Sequence, residues 1–102
     1  MMSLIYHITT KQEWDDAQKS GQYESASLKE EGFIHCSEER QVAGVFQRFF
    51  SNKSTLVKLA IDTSKLTSPL IYDWSDALED TFPHVYGPIN TDAVVTVTAV
   101  AS

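Results

Sequence analysis

The 102-residue sequence predicts a single compact α+β domain with a mixed or antiparallel sheet and two helices. Three observations carry that expectation. Runs of β-branched and aromatic residues recur along the chain, two strand-like runs each pass directly into a stretch with helical apolar spacing, and the length accommodates one core.

The segment Leu4 to Thr9 (LIYHIT) has strand composition, and Thr10 with Glu13 three residues later is a capping-box signature opening a helix over TKQEWDDAQKS. Trp14 and Ala17 share one face of that helix, Lys19 comes late, and Gly21 is the expected stop. A polar stretch with Tyr23 and Leu28 leads to Gly32-Phe33-Ile34-His35-Cys36, a second buried strand, after which Ser37 is expected to cap a second helix. In that helix Val42, Val45, Phe46 and Phe49 form an apolar stripe expected to pack on a sheet. Phe46, Phe49 and Phe50 therefore read as core side chains rather than ligand contacts. A polar turn at SNKS precedes a strand from Thr55 to Asp62, with Val57, Leu59 and Ile61 on one side and Lys58 on the other. Leu70 to Trp74 reads as another strand. Ser75 to Asn90, holding Pro83, Gly87 and Pro88, suits an ordered loop, and Asp92 to Val100 closes the chain as a β-branched strand.

With 8 Lys and Arg against 14 Asp and Glu, the formal net charge is -6. Nonspecific nucleic-acid affinity comes from cations that neutralise phosphates, so a nucleic-acid partner is disfavoured. The 42% hydrophobic content supports a core, while the length excludes a barrel enzyme or a two-domain dinucleotide fold. The single cysteine, Cys36, has no internal disulfide partner, and no leader or run of membrane-spanning length is visible. A soluble, cytoplasmic protein is expected.

The three histidines stand out by context: Tyr6-His7-Ile8-Thr9, Ile34-His35-Cys36-Ser37 and Phe82-Pro83-His84-Val85-Tyr86-Gly87. In the first two, a histidine and a hydroxyl share one strand face while apolar neighbours take the other. If the apolar neighbours face the core, His7 and His35 face a cleft, and Cys36 turns inward as a small hydrophobe. Two helix N-termini beside that cleft would offer unpaired N–H groups to an anion such as a pyrophosphate. Phe82 and Tyr86 would wall it. Asp73, Asp76, Glu79 and Asp80 are the candidates for a carboxylate that stabilises an oxocarbenium-like sugar. Three histidines also match a catalytic zinc site in number, although no local pair has zinc-motif spacing.

In order and spacing, IYHIT, then Trp14, Ala17 and Gly21-Gln22-Tyr23, then SLKEEGFIHCS with Gln41 and Val42, then LVKLAID and FPHVYGPI, resemble the bacterial domain-of-unknown-function family nine-five-two over nearly the whole chain. The fold of that family is similar to the ADP-ribosyltransferase superfamily, distantly to its tRNA 2'-phosphotransferase branch. The resemblance implies that His7 contacts the ribose or nicotinamide group of NAD and that His35 and Ser37 match the family's later-strand pattern; on that basis His35 with Ser37 is expected to position ribose or pyrophosphate, and Tyr86 to stack on a base. Thr9 and Asp73 join the ligand-binding set. Where the family is expected to carry a glutamate, this chain has Asp73 after Tyr72, one methylene shorter, and His84 is the other candidate for that third position. Arg40 and Arg48 fall in the second helix, which leaves the phosphate-holding arginines of the phosphotransferase branch without counterparts and weakens an RNA-repair reading. The leading expectation is thus an ADP-ribosyltransferase-like domain that binds NAD or an ADP-ribose-containing ligand, with NAD as substrate if the domain transfers ADP-ribose. His7, His35 and His84 are its catalytic candidates. A catalytically inactive nucleotide-binding or regulatory module is the alternative, and a three-histidine metal-dependent hydrolase a further one.

Overall fold

The computed structural model describes residues 3–50 and 55–100, so the turn expected at SNKS lies outside the described residues. Strand β1 (Leu4–Thr10) runs directly into helix α1 (Lys11–Ser20), whose buried face is Trp14 and Ala17. Thr10 Oγ1 accepts from the Glu13 N–H at 3.1 Å, and Gly21, at φ 86°, ends the helix by donating its N–H to the Ala17 carbonyl. A left-handed stop suits glycine because it has no Cβ to clash. The Glu13 carboxylate accepts from the hydroxyls of Thr9 and Thr10, at 2.9 and 3.1 Å. The expected box therefore joins two side chains.

The next segment holds more structure than its polarity suggests. It forms β2 (Gln22–Tyr23) and a short helix α2 (Ala26–Glu31), so the described residues contain three helices rather than two. Strand β3 is only Ile34–His35, and helix α3 spans Glu39–Phe49. Its N-cap is Glu38, not Ser37: the Glu38 side chain accepts from the backbone of Gln41, whose own side chain accepts from the Glu38 N–H at 2.8 Å. Ser37 is instead held to β1 by a reciprocal pair of bonds, Tyr6 N–H to the Ser37 carbonyl and Ser37 N–H to the Tyr6 carbonyl, at 2.8 and 2.7 Å. The α3 stripe also departs from expectation. The one buried residue of this helix is Gln41, which donates to Asp80 and to the Thr81 carbonyl, while Phe49 is 53% exposed.

The remaining strands are β4 (Leu56–Asp62), β5 (Leu70–Ser75), β6 (Asp80–Val85), β7 (Ile89–Asn90) and β8 (Val94–Val100). β6 falls where a loop was expected. Pro83 has no N–H to give a ladder, yet its carbonyl accepts from Cys36 N–H at 3.0 Å and its neighbours pair with β5 from Leu70↔Val85 to Ser75↔Asp80. Among the described residues the strands form three antiparallel sheets, ordered β1-β4-β8, β3-β6-β5 and β2-β7. β4 sits between two neighbours and is buried on both faces. The Tyr6–Ser37 pair is a seam between the first two sheets. Ile5, Trp14, Tyr23, Ile34, Leu59, Ile61 and Val85 pack as one core beside that seam. Among the described residues no helix is long and apolar enough to cross a membrane.

Candidate functional site

The seam leaves a cleft of about 640 Å³, a size typical of small-molecule sites. One side is β1 with the start of α1, another is β3 with β6, and the stripe of α3 forms a wall through Val42, Val45 and Phe49. Phe49 and Phe50, read from the sequence as core, line the cleft here, joined by Phe82 and Trp74. The helical period identifies an apolar stripe, but a cleft wall and a core contact have the same period. Helix α3 had to be placed before its stripe could be seen to face open space.

All three histidines line this cleft. His35 and His84 are directly opposed across β3 and β6, with ring centroids 5.0 Å apart. His7 reaches them through the backbone, because its Nδ1–H donates to the His35 carbonyl at 2.5 Å. The orientation expected for β1 is reversed, however. Ile5, His7 and Thr9 pair with Ile61, Leu59 and Val57 and share the core face, so His7 is buried rather than displayed. β1 is covered on both faces, since Ile8 on the opposite side is buried too, and alternation alone cannot select the inner one. Burial pushes the His7 imidazole down to about 4.

His84 has a different environment. Its Nδ1 lies 2.8 Å from Asp73 Oδ2, which also accepts from the Tyr86 hydroxyl at 2.5 Å. Donation from Nδ1–H to the carboxylate directs Nε2 away from Asp73. These bonds from Tyr86 and His84 hold the Asp73 carboxyl below its ordinary range and raise the Tyr86 phenol. Phe33 stacks on His84 with ring centroids 4.2 Å apart. His35 Nε2 lies 2.8 Å from Glu31 at the end of α2, on the exposed side.

Several candidates fall outside the cleft. Asp73 and Tyr86 are not among its lining residues; they stand behind His84 as an acceptor and a brace. Asp76 accepts from the Trp74 indole, Glu79 occupies a turn at φ 51°, and Asp80 is clamped by both Arg40 guanidinium nitrogens, at 2.8 and 3.1 Å. Arg40 and Gln41 hold the Asp80 carboxyl well below the usual range. Arg40 is thus committed to a surface pair. The helix ends expected to receive a pyrophosphate are capped from within, by Thr10 at α1 and by Glu38 at α3. A three-histidine metal site does not fit either: His7 has both nitrogens committed, Nδ1 to the His35 carbonyl and Nε2 to the Tyr23 hydroxyl at 2.8 Å. Cys36 is buried beside the cleft, and burial raises its thiol.

The carboxylate that does line the cleft is Glu13, which the sequence presented only as a helix cap. The missed signal was its spacing: four residues after Thr9, the first turn of α1 brings Glu13 back over the strand end. Tyr23 was also missed as a polar contributor. Its hydroxyl lies in hydrogen-bond contact with both His7 Nε2 and Thr9 Oγ1. Among the described residues lining the cleft there is no lysine or arginine.

Three solved structures of one protein, CC0527 from Caulobacter crescentus, are similar over 97% of this chain. The crystal structure matches at 32% identity with a TM-score of 0.88 and is covered over 87% of its own length. A double methionine variant of the same protein matches at 31% and 0.87, again over 87%. The solution structure matches at 33% and 0.82, over 85%. No curated protein matches the chain. The family model described as "Protein of unknown function (DUF952)" matches residues 8–97, and the chain therefore belongs to the DUF952 family.

Proposed function

We propose that the chain is an ADP-ribosyltransferase-like domain whose cleft takes NAD by its nicotinamide riboside half. The observation that carries this reading is the composition of the cleft: three histidines among its lining residues, aromatic walls, and one carboxylate with no described lysine or arginine beside it. A ribosylated nicotinamide ring is a planar cation, which aromatic faces and a carboxylate attract. The ribose hydroxyls suit donors and acceptors such as Ser37 and His84, while the Thr9 hydroxyl, proposed from the sequence for the same set, is already held between Tyr23 and Glu13. The pyrophosphate of NAD would lie towards the mouth, since the helix ends are already capped. If the domain is catalytic, loss of nicotinamide leaves an oxocarbenium-like ribose, and Glu13 is the carboxylate positioned to stabilise it.

Calorimetry with NAD, nicotinamide riboside and ADP-ribose tests the reading. NAD and nicotinamide riboside should bind comparably, and ADP-ribose, lacking the cationic ring, weaker by about tenfold or more. Binding of ADP-ribose alone would overturn it. His35→Ala should weaken NAD binding in a folded protein. Release of free nicotinamide, lost in Glu13→Gln, would separate an enzyme from a binding module.

A further inference from the structure

We propose that His7, Tyr23, Thr9 and Glu13 form a proton relay that makes a buried imidazole and a cleft carboxyl into one acid–base unit sharing a single exchangeable proton. The relay does not depend on what the cleft binds. It follows from counting hydrogens along a continuous chain: His7 Nε2 to Tyr23 Oη at 2.8 Å, Tyr23 Oη to Thr9 Oγ1 at 2.9 Å, and Thr9 Oγ1 to Glu13 Oε1 at 2.9 Å.

His7 Nδ1 must carry a hydrogen, because its partner is a carbonyl that only accepts. With a neutral ring, Nε2 is then bare. An ionised Glu13 also only accepts, so the chain has an acceptor at each end and two hydroxyls between them. Three contacts of hydrogen-bond length share two hydroxyl protons, and one contact is left with facing lone pairs. One added proton completes the chain, and it can do so in two ways. Placed on His7 Nε2, it directs every bond towards Glu13: imidazolium to Tyr23, Tyr23 to Thr9, Thr9 to carboxylate. Placed on Glu13, it reverses all three: carboxyl to Thr9, Thr9 to Tyr23, Tyr23 to His7. The two forms interconvert when each group passes on its own proton and takes its neighbour's, with no bond left open and no other reactant needed.

Position selects between the forms. His7 is buried within the core face, whereas Glu13 lies on an exposed helix turn beside the cleft. Burial disfavours the imidazolium, so His7 serves as the terminal acceptor of the chain. The charges that reach His7 are those of Glu13 on α1 and His35 on β3; Tyr23 feels Glu13 and Cys36. A proton taken up at the cleft therefore rearranges hydrogen bonds as far as the floor of the core.

Side-chain NMR on isotopically labelled protein tests this without a ligand. As pH falls, the Glu13 carboxyl carbon and the His7 Nε2 resonance should move with one shared midpoint, because protonating Glu13 commits the Tyr23 hydrogen to Nε2. Thr9→Val keeps the shape of the side chain and removes the hydroxyl; the Glu13 carbon should still titrate while the simultaneous His7 shift is lost. Tyr23→Phe should give the same loss and decides the matter if Thr9→Val does not fold. A His7 Nε2 resonance that ignores Glu13 in the parent protein, or follows it unchanged in a folded variant, would overturn the relay.

Discussion

His7 shows how one side chain couples burial to pH. Its folded-state value near 4, against about 6.5 for an unhindered imidazole, means that the unfolded chain takes up a proton first as pH falls. Stability is therefore complete above about pH 6.5 and is lost between there and about pH 4, by about 3 kcal/mol for this ring. Urea midpoints across that window should decline steadily, and a flat profile would contradict the burial of His7. Cys36 leads to a kinetic expectation at the same scale. Its buried thiol is raised by desolvation, so labelling by an aromatic disulfide should proceed at the rate of unfolding and accelerate in urea. The sequence showed that both residues mattered locally, since each sits in a strand run. Which face of β1 turned inward was not legible, because both are covered and a period of two cannot rank two buried faces.

At the scale of elements, the strand-to-helix passage at Thr10 was readable because capping is local chemistry. β6 was not, since Pro83 disguises a strand whose partners lie on β5 and β3. α2 was hidden by the absence of any buried residue along it. The stripe of α3 was found and its helix does meet β1, but the Phe49 end was wrongly given to the core. Phe49→Ala should consequently leave stability within about 0.5 kcal/mol, as for an exposed site, while reducing affinity for an aromatic ligand in the calorimetric assay. A large loss of stability would return Phe49 to the core. The turn after β6 is less tolerant. Gly87 sits at φ 149°, and a Cβ there would lie 2.5 Å from Ser68 Oγ, whose hydroxyl donates to the Pro88 carbonyl. Gly87→Ala should cost about 1–3 kcal/mol in urea unfolding through strain and displacement of that serine.

For the whole molecule, the pairing scheme is mostly non-local: β1 finds β4, β3 finds β6, and β2 finds β7. Such topologies fold in milliseconds to seconds, and stopped-flow fluorescence of buried Trp14 should show a main phase in that range. Full recovery within microseconds would contradict the pairing. The seam where Tyr6 and Ser37 exchange hydrogen bonds has its own consequence in solvent exchange. Each amide is locked by the other's carbonyl, so neither can take deuterium until the two sheets part at that point. The same parting opens the cleft floor. A molecule that grips both walls would slow deuterium uptake at these two amides together while the outer amides of β8 keep their pace. Two backbone protons would thus reveal an occupant before its chemistry was known.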